Sequence, residues 1–171
     1  QQLERRLLPD YQFSASDIVV VIGQDGLVAN TLKYLQGQPV IAINPDPQRW
    51  DGKLLPFVIN DLHEVVTCTM AGKADSKSIT FAEARTNDGQ VMRAVNDLFI
   101  GPKSHTSARY TLNWQGKREI QSSSGVIVST GFGSTGWFQS VLAGAMGVTQ
   151  AQHHALGSGF GWDEKCLQFS V

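Results

Sequence analysis

Two loops and one dipeptide carry the side chains that could do chemistry. Gly23-Gln24-Asp25-Gly26 follows the apolar run Asp17–Ile22 and opens a segment with apolar residues at 27, 28, 32 and 35. Glycines let a backbone come close to a phosphate. A carboxylate at that point can cap a helix, hold a metal or take a proton from a substrate hydroxyl. The second loop is Ser129-Thr130-Gly131-Phe132-Gly133-Ser134-Thr135-Gly136-Trp137. Its three glycines and four hydroxyls lie between the β-branched run Val126–Val128 and an amphipathic segment, Trp137–Met146. Backbone N–H groups and hydroxyls at a helix N-terminus suit a phosphate or a nucleotide hydroxyl. A glycine-rich turn with no ligand would look the same. Between the loops, Asn96-Asp97 joins an amide to a carboxylate, a pair able to read a ribose diol or a base edge, or simply to end a strand.

These groups need a scaffold. Gln1–Leu8 reads as the end of a helix stopped by Pro9. Asp17–Ile22 reads as a strand buried on both faces, as in parallel sheets. Leu27–Leu35 has helical spacing, with Gly37 expected at its C-cap. Pro39–Ile43 reads as a second buried strand, so the order is strand, helix, strand, a βαβ unit. A loop over Asn44–Phe57 carries Pro45, Pro47, Gly52 and Pro56. Asn60 or Asp61 can cap a helix over Leu62–Met70, closed by Gly72. Past the polar stretch 72–77 the pattern changes. Ser78–Thr86 and Gln90–Ile100 surround Asn87-Asp88-Gly89, a hairpin signal, and Tyr110–Trp114 and Glu119–Gln121 flank Gln115-Gly116-Lys117, another. Cys166–Val171 reads as a strand. The expectation is an α/β N-terminal domain with a βαβ parallel sheet over 1–73. A β-rich, nucleotide-binding C-terminal domain over 74–171 follows it.

With 171 residues, 42% hydrophobic and 17% charged, the chain can bury an ordinary globular core. Its net charge of −1 argues against nucleic acid or an anionic membrane as partner. The longest apolar runs are far too short to span a bilayer, and no signal peptide is visible. Cys68 and Cys166 read as reduced thiols of a cytoplasmic protein. No zinc-type spacing occurs. The neighbours His153 and His154 cannot present both rings on one helix face, so they read as surface and no metal site is expected. The chain starts at Gln1 without Met and ends inside a strand-like run, so both ends read as cut from a longer protein.

Taken alone, Gly131-x-Gly133-x-x-Gly136 resembles the Rossmann dinucleotide fingerprint. Its place after the hairpins, its excess of hydroxyls and the lack of a following strand with an acidic end argue against an oxidoreductase. In order along the chain, the motifs resemble the NAD kinase family. The family's GGDGT loop stands here as Gly23-Gln24-Asp25-Gly26-Leu27. Its P-V-x-x-I-N strand is Pro39–Asn44, continued by Asn44–Phe57 in a manner closest to a divergent, mitochondrial-type branch. Its Asn-Glu/Asp motif is Asn96-Asp97, and its DG-x-x-V-S-T-P-T-G-S-T-A-Y segment is Ser124–Trp137. The resemblance covers roughly residues 17–140.

What the resemblance implies is a two-domain kinase truncated at both ends, with NAD in a cleft. ATP, or polyphosphate, would give a phosphoryl group to the adenosine-ribose 2′-hydroxyl with a divalent cation, Mg2+. Asp25 would be the base, and Gly23 and Gly26 would admit the donor phosphates. Asn96 and Asp97 would hold the dinucleotide, and Thr135 and Trp137 would line its pocket. Asn44, Thr130, Gly133, Ser134 and Gly136 complete the implied binding set. The family commonly forms dimers or tetramers, so a homo-oligomer is expected. The chain also departs from the pattern. Gln24 and Leu27 replace a glycine and a threonine, and a side chain at 24 narrows a phosphate's path and suits a φ > 0 turn poorly. Ser124 replaces an aspartate, Gly131-Phe132 replaces Pro-Thr, and Gly136-Trp137 replaces Ala-Tyr. Two other readings stay open. One is a nucleotide-binding relative without turnover. The other is a lipid kinase of the diacylglycerol or sphingosine type, which shares GGDG but not the later motifs.

Overall fold

The β-branched runs near 20 and 41 become neighbouring parallel strands in the computed structural model, which describes residues 1–52, 54–149 and 159–171. His153 and His154 lie outside the described residues. The chain divides into two units, Gln1–Lys77 and Ser78–Val171, at the end of the polar 72–77 stretch. The protein is a small α/β protein with one parallel three-stranded sheet and several antiparallel strands.

In the first unit, β1 (Val19–Ile22), α1 (Asp25–Leu32), β2 (Val40–Asn44) and β3 (Phe57–Val58) follow one another. The sheet order is β1-β2-β3, parallel throughout, with Val19 beside Val40 and Ile43 beside Phe57. The central strand is the buried one, from Ile41 to Asn44. The expectation that β1 is buried on both faces is corrected. At the sheet edge only Val21, beside Ala42, is buried, while Val20 and Ile22 remain 37% and 48% exposed. Gly37 does not cap α1. The helix ends at Leu32 in i→i+3 turns, Tyr34 to Thr31 and Leu35 to Leu32, and Gly37 (φ 103) reverses the chain later. The first residues form a 3-10 helix, Arg5–Asp10, with Pro9 inside it rather than after it.

α2 (Leu62–Met70) has the extent its spacing suggests. The Asp61 carboxylate serves the turn before it, accepting the Val58 N–H at 2.9 Å. At the far end Lys73 N–H meets the Cys68 carbonyl and Gly72 N–H the Thr69 carbonyl, at 2.9 and 3.1 Å. That is a Schellman closure, and it needs the left-handed backbone of Gly72 (φ 66).

The second unit holds a sheet of order β10-β9-β6, from Gln168–Ser170, Val126–Ser129 and Asp97–Ile100, antiparallel throughout. Two hairpins accompany it. β4 (Ala82–Arg85) and β5 (Val91–Ala94) are joined through Asn87-Asp88-Gly89, where Gly89 N–H meets the Thr86 carbonyl at 3.0 Å with φ 87 at the glycine. β7 (Ala108–Trp114) and β8 (Lys117–Ser123) are joined by a two-residue turn with φ 48 at Gln115 and 76 at Gly116, the left-handed pair that matches strand twist. α3 (Trp137–Thr149) follows β9. Val95, Leu98, Val126, Ile127, Phe132 and Phe138 are among the core residues. Cys68 and Cys166 are both free thiols. Among the described residues no helix is long and apolar enough to cross a membrane.

Candidate functional site

The first unit places Gly23–Gly26 at the carboxyl end of β1, where open α/β sheets take ligands. Gly23 N–H extends the ladder to the Ile43 carbonyl at 3.2 Å. Gln24 is the N-cap of α1 with φ −98 and ψ 164, extended backbone that any residue adopts. The expected conflict between Gln24 and a φ > 0 turn therefore does not arise. Asp25 is the first residue of the helix rather than its cap. Its Oδ1 accepts the Leu54 N–H at 3.0 Å, which leaves Oδ2 for a second partner. Gly26 is exposed, and a Cβ built there would meet no atom within 4 Å. The helix N-terminus is thus open to an anion at Gly26. At Gly23 a Cβ would come within 2.8 Å of Leu27 Cδ2, the end of a flexible side chain.

Asn44, buried at the end of β2, organises the loop that reaches Asp25. Its Oδ1 accepts the Asp46 N–H at 3.1 Å and its Nδ2 donates to the Trp50 carbonyl at 3.0 Å. Gly52 (φ 59) lies against the same amide, so close that a Cβ would collide with Asn44 Nδ2. Both ends of the Asn44 amide thus hold the turn that leads to Leu54. Sequence reasoning missed Leu54 as the partner of Asp25, because no side chain marks a backbone donor.

In the second unit the structure brings 96–99 and 129–137 together. Thr130 is the joint. Its N–H donates to the Asn96 carbonyl at 3.0 Å. Its Oγ1 lies 2.5 Å from the Val95 carbonyl and 3.0 Å from that of Asn96, and it accepts the Gly133 N–H at 3.1 Å. This pairing is also why the expected strand Gln90–Ile100 breaks between β5 and β6. Ser134 Oγ donates to the Gly131 carbonyl at 2.7 Å and accepts the Phe160 N–H at 3.1 Å. Ser129, Thr130 and Ser134 are all buried. Three of the four hydroxyls therefore hold the loop together rather than face outward.

The glycines act likewise. A Cβ on Gly131 would overlap the Gly161 carbonyl, and one on Gly133 would overlap the Asn96 backbone. Only Thr135, Gly136 and Trp137 form an exposed rim. Gly136 is the permissive one, since its Cβ would meet only the Gly133 carbonyl at 3.4 Å and its φ is not left-handed. Gly136→Ala is expected to fold and to gain up to about 1 kcal/mol from a less flexible unfolded chain. Thermal melts of the two proteins test it, and a drop in melting temperature would contradict it.

Asn96 is exposed and Asp97 half-buried. Asp97 pairs with Ser129 across β6 and β9. Its Oδ1 is buried and has no hydrogen-bond partner. Burial pushes the Asp97 carboxyl above its ordinary pKa, the nearby Ser129 hydroxyl acting in the opposite sense. That hydroxyl has one proton and also lies 3.2 Å from the Thr130 carbonyl. An unsatisfied buried carboxylate oxygen costs about 1–3 kcal/mol. A raised carboxyl pKa makes the folded state bind its proton more tightly than the unfolded one, so this residue's contribution is best at low pH and declines as pH rises through the raised pKa. Asp97→Asn is therefore expected to melt higher than wild type near pH 7, with the gain shrinking towards acid. Melts across pH 4 to 7 check it, and a pH-independent difference would refute the cause assigned.

Among the described residues no group of three or more His, Cys, Asp and Glu gathers as a metal cage. Sequence reasoning also missed Phe99, whose ring lies 5.5 Å from that of Trp137, and Trp162, 4.8 Å from Phe132. The period-two alternation of β6 could have placed Phe99 beside Asp97.

Fold and site together define a two-unit α/β protein with a helix-opening acidic loop and a glycine-hydroxyl loop closed on an Asn-Asp strand. No protein-family model matches the chain. No curated protein matches it either.

Proposed function

We propose that this chain is a nucleotide phosphotransferase of the NAD kinase type, making NADP from NAD with ATP or polyphosphate as donor. The observation that carries the reading is the Thr130 joint, which ties the Asn96-Asp97 strand end to the glycine-hydroxyl loop that ends in the exposed rim Thr135–Trp137. An amide, a carboxylate and a hydroxyl gathered at one strand end and one rim can read a ribose diol. In this reading Asn96, Asp97, Thr135 and Trp137 hold the dinucleotide, and Asp25 is the base. Asp25 Oδ2 takes the proton of the ribose 2′-hydroxyl as that oxygen bonds to the γ-phosphorus. The bond from phosphorus to the leaving diphosphate breaks. Alignment and charge neutralisation account for most of such a rate. The divalent cation would enter with the donor as Mg-ATP, held by the phosphates.

The test is NADP formation from NAD with Mg-ATP, and with polyphosphate in parallel. Wild-type chain that binds NAD and forms no product would favour a binding protein without turnover. The engagement of Asp25 Oδ1 by Leu54 is the observation on that side. A chain that phosphorylates a diacylglycerol or sphingosine and ignores NAD would favour the lipid kinase reading.

A further inference from the structure

Asp25 stands in the first turn of α1, where a short side chain has several rotamers open to it. The bond that its Oδ1 accepts from the Leu54 N–H, at 3.0 Å, narrows that choice. The donor belongs to the loop between β2 and β3, in which Pro45, Pro47 and Pro56 have no N–H to give. The loop's own backbone bonds are local. Arg49 and Trp50 N–H meet the Asp46 carbonyl at 3.2 and 3.1 Å, and Leu55 N–H meets the Gly52 carbonyl at 2.9 Å. These bonds shape two turns and tie neither to the sheet. Asn44 supplies the tie. It belongs to the central strand, in register with Val58 of β3, and is 3% exposed. Its Oδ1 accepts the Asp46 N–H where the first turn begins, and its Nδ2 donates to the Trp50 carbonyl where that turn ends. The second turn lies against the same amide, because Gly52, at φ 59, passes closer to Nδ2 than a Cβ would allow. One strand thus holds one amide, the amide holds two turns, and the second turn brings Leu54 to Asp25. An amide so buried, with both ends engaged, has no face to offer a nucleotide.

We propose that Asn44 is a positioning residue for the phosphoryl transfer. It acts on Asp25 through the loop and the Leu54 N–H, and does not touch the nucleotide. The inference rests on the phosphotransferase reading given above and adds to it the group that holds the base in line. A reacting group about 1 Å out of place can cost a reaction about 10²-fold.

The experiment measures NADP formation by the full chain across NAD concentrations for wild type, Asn44→Ala, Gly52→Ala, Asp25→Asn, and Asn44→Ala combined with Asp25→Asn. Melting curves establish that each variant is folded at the assay temperature. Amide hydrogen exchange at Leu54, followed by NMR, reports on the bond to Asp25 without turnover. Asn44→Ala is expected to lower kcat about 10–10²-fold with KM for NAD unchanged, and to exchange the Leu54 amide faster than wild type. Gly52→Ala presses on the Asn44 amide without removing it. It is expected to act in the same way, and it carries the test if Asn44→Ala does not fold. Added to Asp25→Asn, Asn44→Ala is expected to cost no further rate, because no base is left to position. A raised KM with kcat unchanged would make Asn44 a nucleotide contact and overturn the proposal. A lower melting temperature with kcat intact, or an equal loss of kcat in the Asp25→Asn background, would leave it a structural residue and overturn the proposal too. So would Leu54 exchange as slow as in wild type. Wild type that forms no NADP overturns the phosphotransferase reading, and this proposal with it.

Discussion

Asp25→Asn is expected to lower the rate of NADP formation about 10²–10⁴-fold, the usual contribution of a positioned general base. The fold should barely change, and the reason is local. Asp25 holds the loop by accepting the Leu54 N–H through Oδ1, and an Asn side chain keeps an oxygen that can do the same. What it loses is the charge and the second oxygen, which are the parts a proton acceptor needs. Asp25→Ala would remove the Leu54 bond as well and lose about 1 kcal/mol of stability in addition. Rates and melting temperatures measured side by side separate the two roles. An Asp25→Asn enzyme turning over at the wild-type rate would remove Asp25 from the chemistry and leave it as a loop anchor.

Gly133→Ala is expected to destabilise the second unit by about 3 kcal/mol or more, at the severe end for a single methyl group. The obstacle is backbone, since the new Cβ would overlap the carbonyl, the carbonyl carbon and the Cα of Asn96. Flexible side chains can turn away from such a contact, whereas the Asn96 carbonyl is held by two bonds from Thr130. Gly131→Ala should behave alike, against Gly161. Denaturant melts of Gly133→Ala beside Gly136→Ala make the comparison internal, with one glycine packed and the other at the rim. Equal stabilities would mean that the loop does not close on Asn96 as described.

Much of the fold was legible because its causes are local. The β-branched runs 19–22 and 40–44, the helix over Leu62–Met70 with Gly72 behind it, and the turns at Asn87-Asp88-Gly89 and Gln115-Gly116 depend on neighbours along the chain. Burial was less legible. Val20 and Ile22 carry the composition of a strand covered on both sides, and only the sheet order shows β1 at an edge.

For the candidate site the division is sharper. Residue types and their spacing say which groups are present: Asp25 at a helix start, an amide and a carboxylate at 96–97, and a loop of glycines and hydroxyls at 129–137. Which of them are free to act depends on contacts between residues far apart in the chain. Ser129, Thr130 and Ser134 look as available in the sequence as Thr135 does, yet each is buried and engaged, Thr130 with carbonyls thirty-four and thirty-five residues earlier. Gly131 and Gly133 look like a cradle for phosphate, yet their missing side chains make room for Gly161 and Asn96. Asp97 looks like an ordinary strand end, yet its inner oxygen has no partner. The physical reason is common to all three. Hydrogen-bond satisfaction and close packing are settled by atoms distant in sequence, and periodicity carries no record of them.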